Sequence, residues 1–145
     1  MLNQLRDVFS SLQRNEVKYL VIGGIAAVLY GVPRATFDLD ILIEATPKNA
    51  QRLLDALLEA GLGTASMTTA EALLSHEITI FSDRVRVDVQ TATPGLDFAE
   101  VWRRREVMKY RGQEILVVSR DDLIASKRAA GRERDLEDVR VLELQ

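Results

Sequence analysis

The 145-residue chain has no cysteine, a single histidine (His76) and only three prolines. The missing cysteines exclude disulfides, cysteine-ligated zinc, iron–sulfur clusters and thiol nucleophiles. One histidine cannot build a multi-histidine metal site. Any metal must therefore be held by carboxylates, which suit a hard ion such as magnesium or manganese. Long apolar runs are lacking as well. The longest uncharged stretch, Tyr19 to Pro33, has 15 residues and contains Gly23, Gly24 and Gly31, short of the roughly 20 needed to cross a membrane. Asp7 and Glu16 precede it, where a signal peptide would place basic residues. The expectation is a soluble, cytoplasmic protein without membrane association.

What is present suits one folded domain spanning residues 1–145. Hydrophobic residues make up 47% and charged residues 28% of the chain, too apolar a mixture for intrinsic disorder. The net charge of −3 conceals an asymmetry: residues 1–100 carry 8 basic and 13 acidic side chains, and residues 101–145 carry 11 and 9.

Apolar spacing of three and four over Leu2, Leu5, Val8, Phe9 and Leu12 predicts a first helix. Val17 to Ile22 reads as a buried strand ending in a Gly23-Gly24 turn, followed by a short helix from Ile25 to Tyr30. Phe37 to Glu44 is a second strand. Thr46-Pro47 opens a helix running from Lys48 to Ala60, which Gly61 ends. A short helix over Thr69 to Leu74 precedes two strands, Glu77–Phe81 and Arg84–Gln90, joined tightly at Ser82-Asp83. A second strand pair, Glu106–Tyr110 and Glu114–Val118, turns around Gly112. Ser119 caps a helix to Ala130, Gly131 breaks it, and Asp135 to Leu144 forms the last helix. The pattern predicts an α/β (α+β) domain: a mixed sheet flanked by helices, with a C-terminal helical pair.

Chemistry concentrates at Asp38, Asp40 and Asp88. Period-2 geometry puts Asp38 and Asp40 on one strand face, about 6–7 Å apart at the backbone. Their neighbours Phe37, Leu39, Ile41, Leu42 and Ile43 are apolar. Asp88 repeats the oddity within Val85-Arg86-Val87-Asp88-Val89. Carboxylates gathered on buried strands repel and lose hydration unless compensated. A divalent cation would compensate them, and so would pairing with Arg34, Arg84 or Arg86.

The run G-G-I-A-A-V-L-Y-G-V-P-R-A-T-F-D-L-D-I-L-I resembles the opening motif of the polymerase-β-like nucleotidyltransferase superfamily. It is most similar to the small prokaryotic branch of AbiEii/AbiGii-type, toxin-like nucleotidyltransferases. The resemblance is strongest over residues 17–44 and extends to V-R-V-D-V and to K-R-A-A-G-R-E-R-D-L-E-D-V. It implies a nucleotidyltransferase fold and transfer of a nucleoside monophosphate from an NTP to an acceptor, with Mg2+ or Mn2+ as cofactor. Asp38, Asp40 and Asp88 match the metal-binding, catalytic carboxylates, and Asp88 would also activate the acceptor hydroxyl. Gly23 and Gly24 match the glycine turn that holds nucleotide phosphates, and Arg34 and Thr36 match the R-x-T before the aspartate pair. Lys127, Arg132 and Asp135 match the C-terminal block, its cations expected near the triphosphate and Asp135 expected to orient Arg132 or cap the last helix. Ile25 departs from the pattern, since much of the superfamily has a serine there. The resemblance further implies tRNA or another RNA as acceptor, and a cognate toxin or antitoxin protein as partner. Two other readings are a noncatalytic antitoxin-like or scaffold module that keeps the fold, and a metal phosphohydrolase using the same carboxylates.

Three remaining features have plainer readings. His76 is expected to be structural or at the surface, and Phe98 and Trp102, at helical spacing, to be core residues. The basic strip Arg103-Arg104-Arg105 with Lys109 and Arg111 is either a solvated edge or a phosphate track for an acceptor, the latter requiring it to lie on the side of Asp38 and Asp40.

Overall fold

A computed structural model of the protein describes residues 2–145, with side chains from Leu5 onward, so Met1 and the expected apolar contact of Leu2 lie outside the described residues. The chain runs α1 (Leu2–Arg14), β1 (Tyr19–Ile22), α2 (Gly23–Leu29), β2 (Asp38–Ile43), α3 (Pro47–Glu59), a 3-10 turn (Gly63–Met67), α4 (Ala70–Leu74), β3 (Ile78–Ser82), β4 (Arg86–Gln90), α5 (Phe98–Arg103), β5 (Glu106–Tyr110), β6 (Gln113–Val117), α6 (Arg120–Ala130) and α7 (Glu133–Glu143). The six strands form one mixed sheet in the order β3-β4-β2-β1-β6-β5. β2 pairs antiparallel with β1 and parallel with β4, and β1 pairs parallel with β6. The expected fold class is the observed one.

Register decides what each face carries. Tyr19, Val21, Leu39, Ile41, Val87, Val89, Ile115 and Val117 alternate onto one face and are all buried. Phe9 of α1 stacks on Tyr19, ring centroids 6.3 Å apart, and Ser11 Oγ donates to the Ala56 carbonyl of α3 at 2.6 Å, so α1 and α3 cover this face together. Each fully buried Leu or Ile there contributes about 1.5–3 kcal/mol. The opposite face carries Ile22, Asp38, Asp40, Arg86 and Asp88, and α6 and α7 stand across a cleft from it, with α6 in contact with α2.

The local signals acted as their chemistry requires. Thr46 accepts from the Asn49 amide with Pro47 at the first helical position, and Ser119 accepts from the Asp122 amide. Gly131 takes the left-handed conformation (φ 67°) that closes α6. Several boundaries moved. Gly23 and Gly24 are the first turn of α2 rather than a turn before it. Ser82 belongs to β3, so three residues, 83–85, join it to β4. The helix α5 and the 3-10 turn were not among the expected elements: each is a short piece without a full apolar period. Phe98 and Trp102 of α5 stack at 5.5 Å and pack against the core, as their spacing implied. His76 is exposed, its Nδ1 2.9 Å from the Ala72 carbonyl. Among the described residues, no helix is long and apolar enough to cross a membrane.

Candidate active site

β2 is a central strand because its residues 39 and 41–43 are uniformly apolar and buried. Its two aspartates emerge on the α6–α7 side at the end where β1 gives way to α2. Asp40 stands directly opposite Asp88 of β4 and opposite Ile22 of β1, and Asp38 stands opposite Arg86. The three carboxylates therefore share one face, although Asp38 is half-exposed where the apolar run suggested burial.

Asp40 feels this crowding most. Burial first, then the charge and hydrogen bond of Asp88 and the charge of Asp38, raise its carboxyl from 3.8 to about 7. The Arg86 guanidinium works against that rise without touching Asp40. Its Nε and Nη2 donate to the two Asp88 oxygens at 2.9 and 3.2 Å, and Asp38 Oδ2 lies 3.7 Å from Nε. Of the pairings available from sequence, Arg86 made this one. Arg84 instead donates to the Ala60 carbonyl, 2.7 Å away.

The glycines fit around these side chains. A Cβ on Gly23 would stand 2.5 Å from Asp40 Oδ2, and its φ of +69° already disfavours any side chain. A Cβ on Gly24 would meet Arg34 Nη2 at 2.6 Å and Thr36 Oγ1 at 2.8 Å. Gly23, Gly24, Arg34 and Thr36 thus pack as one unit beside the carboxylates. Ile25 is buried, so the side chain at the position of the absent serine belongs to the core.

The C-terminal helices supply the opposite wall. Lys127, Arg132, Arg134 and Asp135 line the same cleft as Asp38, Asp40 and Asp88, a cavity of about 740 Å³. Lys127 is only 4% exposed. Its Nζ lies 2.8 Å from Asp138 Oδ2 and 3.7 Å from Asp135 Oδ1, and Arg34 Nη2 approaches Asp138 Oδ2 from the other side at 3.6 Å. Arg132 Nε donates to Asp135 at 2.7 Å. Burial pushes the Asp135 carboxyl up, but the Arg132 hydrogen bond and charge outweigh it and hold the group below the usual carboxylate range. Asp135 accordingly orients Arg132.

Asp138 is the residue that sequence reasoning missed. Its signal was the Asp135-x-x-Asp138 spacing, which places both carboxylates on one face of α7. Arg134, Ser126, Gln90 and Thr93 are further polar residues lining the cleft.

The basic strip is divided by the antiparallel pairing of β5. Glu106 stands opposite Val117, which stands opposite Val21, so Arg103–Arg105 lie toward the site end of the sheet and Arg111 toward the other. No residue from 103 to 111 lines the carboxylate cleft. Arg104 is paired with Asp122, Arg103 with Glu100, and Arg105 lies 4.1 Å from the centre of the Trp102 ring.

Asp38, Asp40 and Asp88 match a hard divalent ion in donor type and in sharing a face. Among the described residues, however, no three His, Cys, Asp or Glu side chains converge tightly as a metal cluster. Arg86, drawn to both Asp38 and Asp88, provides the positive charge in this conformation.

A family model described as nucleotidyltransferase of unknown function (DUF6036) matches residues 2–145. No curated protein matches the chain significantly. Among solved structures, a provisionally assigned nucleotidyltransferase from Thermotoga maritima superposes with a TM-score of 0.61 at 18% identity, covering 99% of this chain and 93% of that one. An antigenic nucleotidyltransferase-like protein from Paracoccidioides brasiliensis gives 0.57 at 18% identity, covering 94% and 72%. At that identity the likeness is one of fold.

Proposed function

Because the chain belongs to the nucleotidyltransferase family of unknown function DUF6036, we propose that it transfers a nucleoside monophosphate from an NTP to an acceptor hydroxyl. The observation that carries this reading is the division of charge across one cleft. Asp40 and Asp88 face each other on the sheet side, and Lys127, Arg132 and Arg134 line the helical side. Such a cleft suits a substrate that pairs hard cations with a polyanion.

Asp38, Asp40 and Asp88 would hold Mg2+ or Mn2+, which when bound supplies neutralisation of the triphosphate and a lowered pKa for the acceptor hydroxyl. Asp88 accepts the acceptor proton. Arg34, with Thr36, packs on Gly24 and presents its guanidinium to the phosphates. Arg132, held by Asp135, faces them from α7, and Lys127 sets the positive potential of the wall from within its ion-pair network. The closer kinship we infer is with the AbiEii-type toxin-like branch, with tRNA or another RNA as acceptor and a cognate toxin or antitoxin protein as partner.

One observation favours a second reading. Arg86 is bonded to Asp88 and beside Asp38, and Ile25 supplies no hydroxyl, as in a noncatalytic module that keeps the fold. Incubating the purified protein with each labelled NTP, Mg2+ or Mn2+ and total cellular RNA separates the cases. Labelled RNA with pyrophosphate release supports transfer, and Asp40→Asn should abolish it. Nucleotide binding without label transfer supports the noncatalytic module, and inorganic phosphate release supports a phosphohydrolase.

A further inference from the structure

Beyond Asp88 the carboxylate cleft is lined by uncharged groups that the phosphates and the metal ions leave unused. On β4, Gln90 follows Asp88 by two residues, so both side chains stand on one face, about 6.6 Å apart along the strand. Gln90 pairs with Leu42 of β2 on one side and with Ile78 of β3 on the other. Gln90, Thr93, Pro94 and the exposed Ile78 all line the cleft.

Local chemistry holds Thr93 in place. Residues 93–96 form a tight turn in which the Leu96 amide donates to the Thr93 carbonyl at 3.1 Å. Pro94 takes its second position and Gly95, at φ +81°, its third, the residues that a type II turn favours. The turn is pressed onto α6: a Cβ on Gly95 would stand 2.9 Å from Ala129 Cβ and 3.0 Å from the Ala125 carbonyl oxygen. From this fixed position Thr93 Oγ1 donates to Gln90 Oε1 at 2.6 Å. That bond orients the amide. Gln90 Nε2 is left without a protein partner among the described residues, and Thr93 Oγ1 keeps a lone pair with which to accept.

Given nucleotide binding in the cleft, on which this subsite rests, Gly23 and Gly24 hold the leaving phosphates. Gly23 follows Ile22, which stands opposite Asp40, which stands opposite Asp88. The attacking and leaving oxygens lie in line through the α-phosphorus, so that line runs across the strands. The nucleoside departs from the phosphorus off this line, along the strands. In one direction stand the charged Asp38 and Arg86. In the other, a ribose's span away, stand Gln90 with a free donor and Thr93 with a free acceptor. A vicinal diol, each hydroxyl able to donate and to accept, complements that pair. We infer that Gln90 and Thr93 form a ribose subsite for the 2′- and 3′-hydroxyls of the nucleotide, so that the cleft takes ribonucleoside triphosphates in preference to 2′-deoxy ones.

α,β-Methylene-ATP, which cannot transfer its nucleotide, and its 2′-deoxy counterpart are the probes, titrated calorimetrically into the whole chain with Mg2+. The wild type should bind the ribo analogue about tenfold tighter, the worth of one hydrogen bond between neutral groups. Gln90→Leu should bring the two affinities together by weakening the ribo analogue alone. Thr93→Ser should keep the preference and Thr93→Val should lose it. In NMR spectra of the wild type, the Gln90 side-chain amide should shift with the ribo analogue and much less with the deoxy one. Equal wild-type affinities would overturn the subsite, and so would a Gln90→Leu variant that keeps the preference or loses both analogues alike. Failure of both analogues to bind at millimolar concentration would remove the subsite and the nucleotide reading together. Discriminating binding without transfer to RNA would uphold the subsite and refute the transfer reaction alone.

Discussion

Asp40→Asn is the most informative single change, because the structure assigns Asp40 a cost in the fold and no ion pair within 4 Å among the described residues. Raising its carboxyl from 3.8 to about 7 makes ionisation in the folded protein about 4 kcal/mol more costly than in the unfolded chain, at 1.36 kcal/mol per decade. The sign follows from the direction of the shift. Well below 3.8 the group is protonated in both states and the protein is at full stability, of which only about half a kcal/mol is lost by pH 4. As pH rises toward and through 7 the unfolded chain ionises freely, the folded one resists, and stability falls. Asparagine removes that dependence while preserving shape. At pH 8.5 without divalent ions, the variant should therefore exceed the wild type by up to about 4 kcal/mol, roughly 10–15 °C in melting temperature for a chain this size. At pH 4 the two should melt together. Added Mn2+ should reverse the order at high pH, because only the wild type gains binding energy from the ion. Thermal melts from pH 4 to 8.5, with EDTA or with Mn2+, provide the assay. A variant less stable than wild type at pH 8.5 in EDTA would show Asp40 to be a stabilising partner and would refute the argument.

Lys127→Met should destabilise the protein by about 3 kcal/mol in urea titrations, since it leaves buried Asp138 with only the 3.6 Å approach of Arg34, and Lys127→Met/Asp138→Leu should recover most of that loss. Gly23→Ala should cost about 1–2 kcal/mol from its φ of +69° and the contact with Asp40; thermal melts would show it, and a neutral result would mean the turn relaxes freely. Arg86→Gln removes the guanidinium from between Asp38 and Asp88 and should tighten Mn2+ binding roughly tenfold by calorimetry. Weaker binding would instead make Arg86 part of the ligand-holding set.

The fold was legible where one physical signal dominated. β2 announced itself by an apolar run that no surface strand would carry, and α3 and α6 by cap residues whose side chains have one good use. Boundaries slipped where two conformations satisfy the same residues: Gly23-Gly24 can end a strand or begin a helix, and only the packing against Asp40, Arg34 and Thr36 selects the second. The site was legible in composition and illegible in pairing. Period-2 spacing put Asp38 and Asp40 on one face, but that Asp88 faces Asp40 follows from a parallel β2–β4 register that no local pattern encodes. Arg86 was readable as a partner, but not its division between two carboxylates. Lys127, expected at a phosphate, is nearly buried because α7 brings Asp138 beneath it, a tertiary fact. The arginine strip failed as a single surface for a simpler reason: β5 runs the length of the sheet and carries its two ends apart.

The ion-pair network also explains why the C-terminal helices are integral to the cleft. Arg34 comes from the segment before β2, Lys127 from α6, and Asp135 and Asp138 from α7. Lys127 and Asp138 are the most buried of these charges and neither is tolerable alone, since a single unpaired ion in the interior costs several kcal/mol. Their pairing forms when α6 and α7 come together beside α2, which also places Asp138 within 3.6 Å of Arg34. Apolar replacement of the Lys127–Asp138 pair would let the helices dock without that electrostatic requirement. Such a variant should be stable yet hold Arg34 loosely, so its nucleotide affinity should stay low although its stability has returned. Recovery of both together would mean that Arg34 is positioned by Gly24 and Thr36 alone.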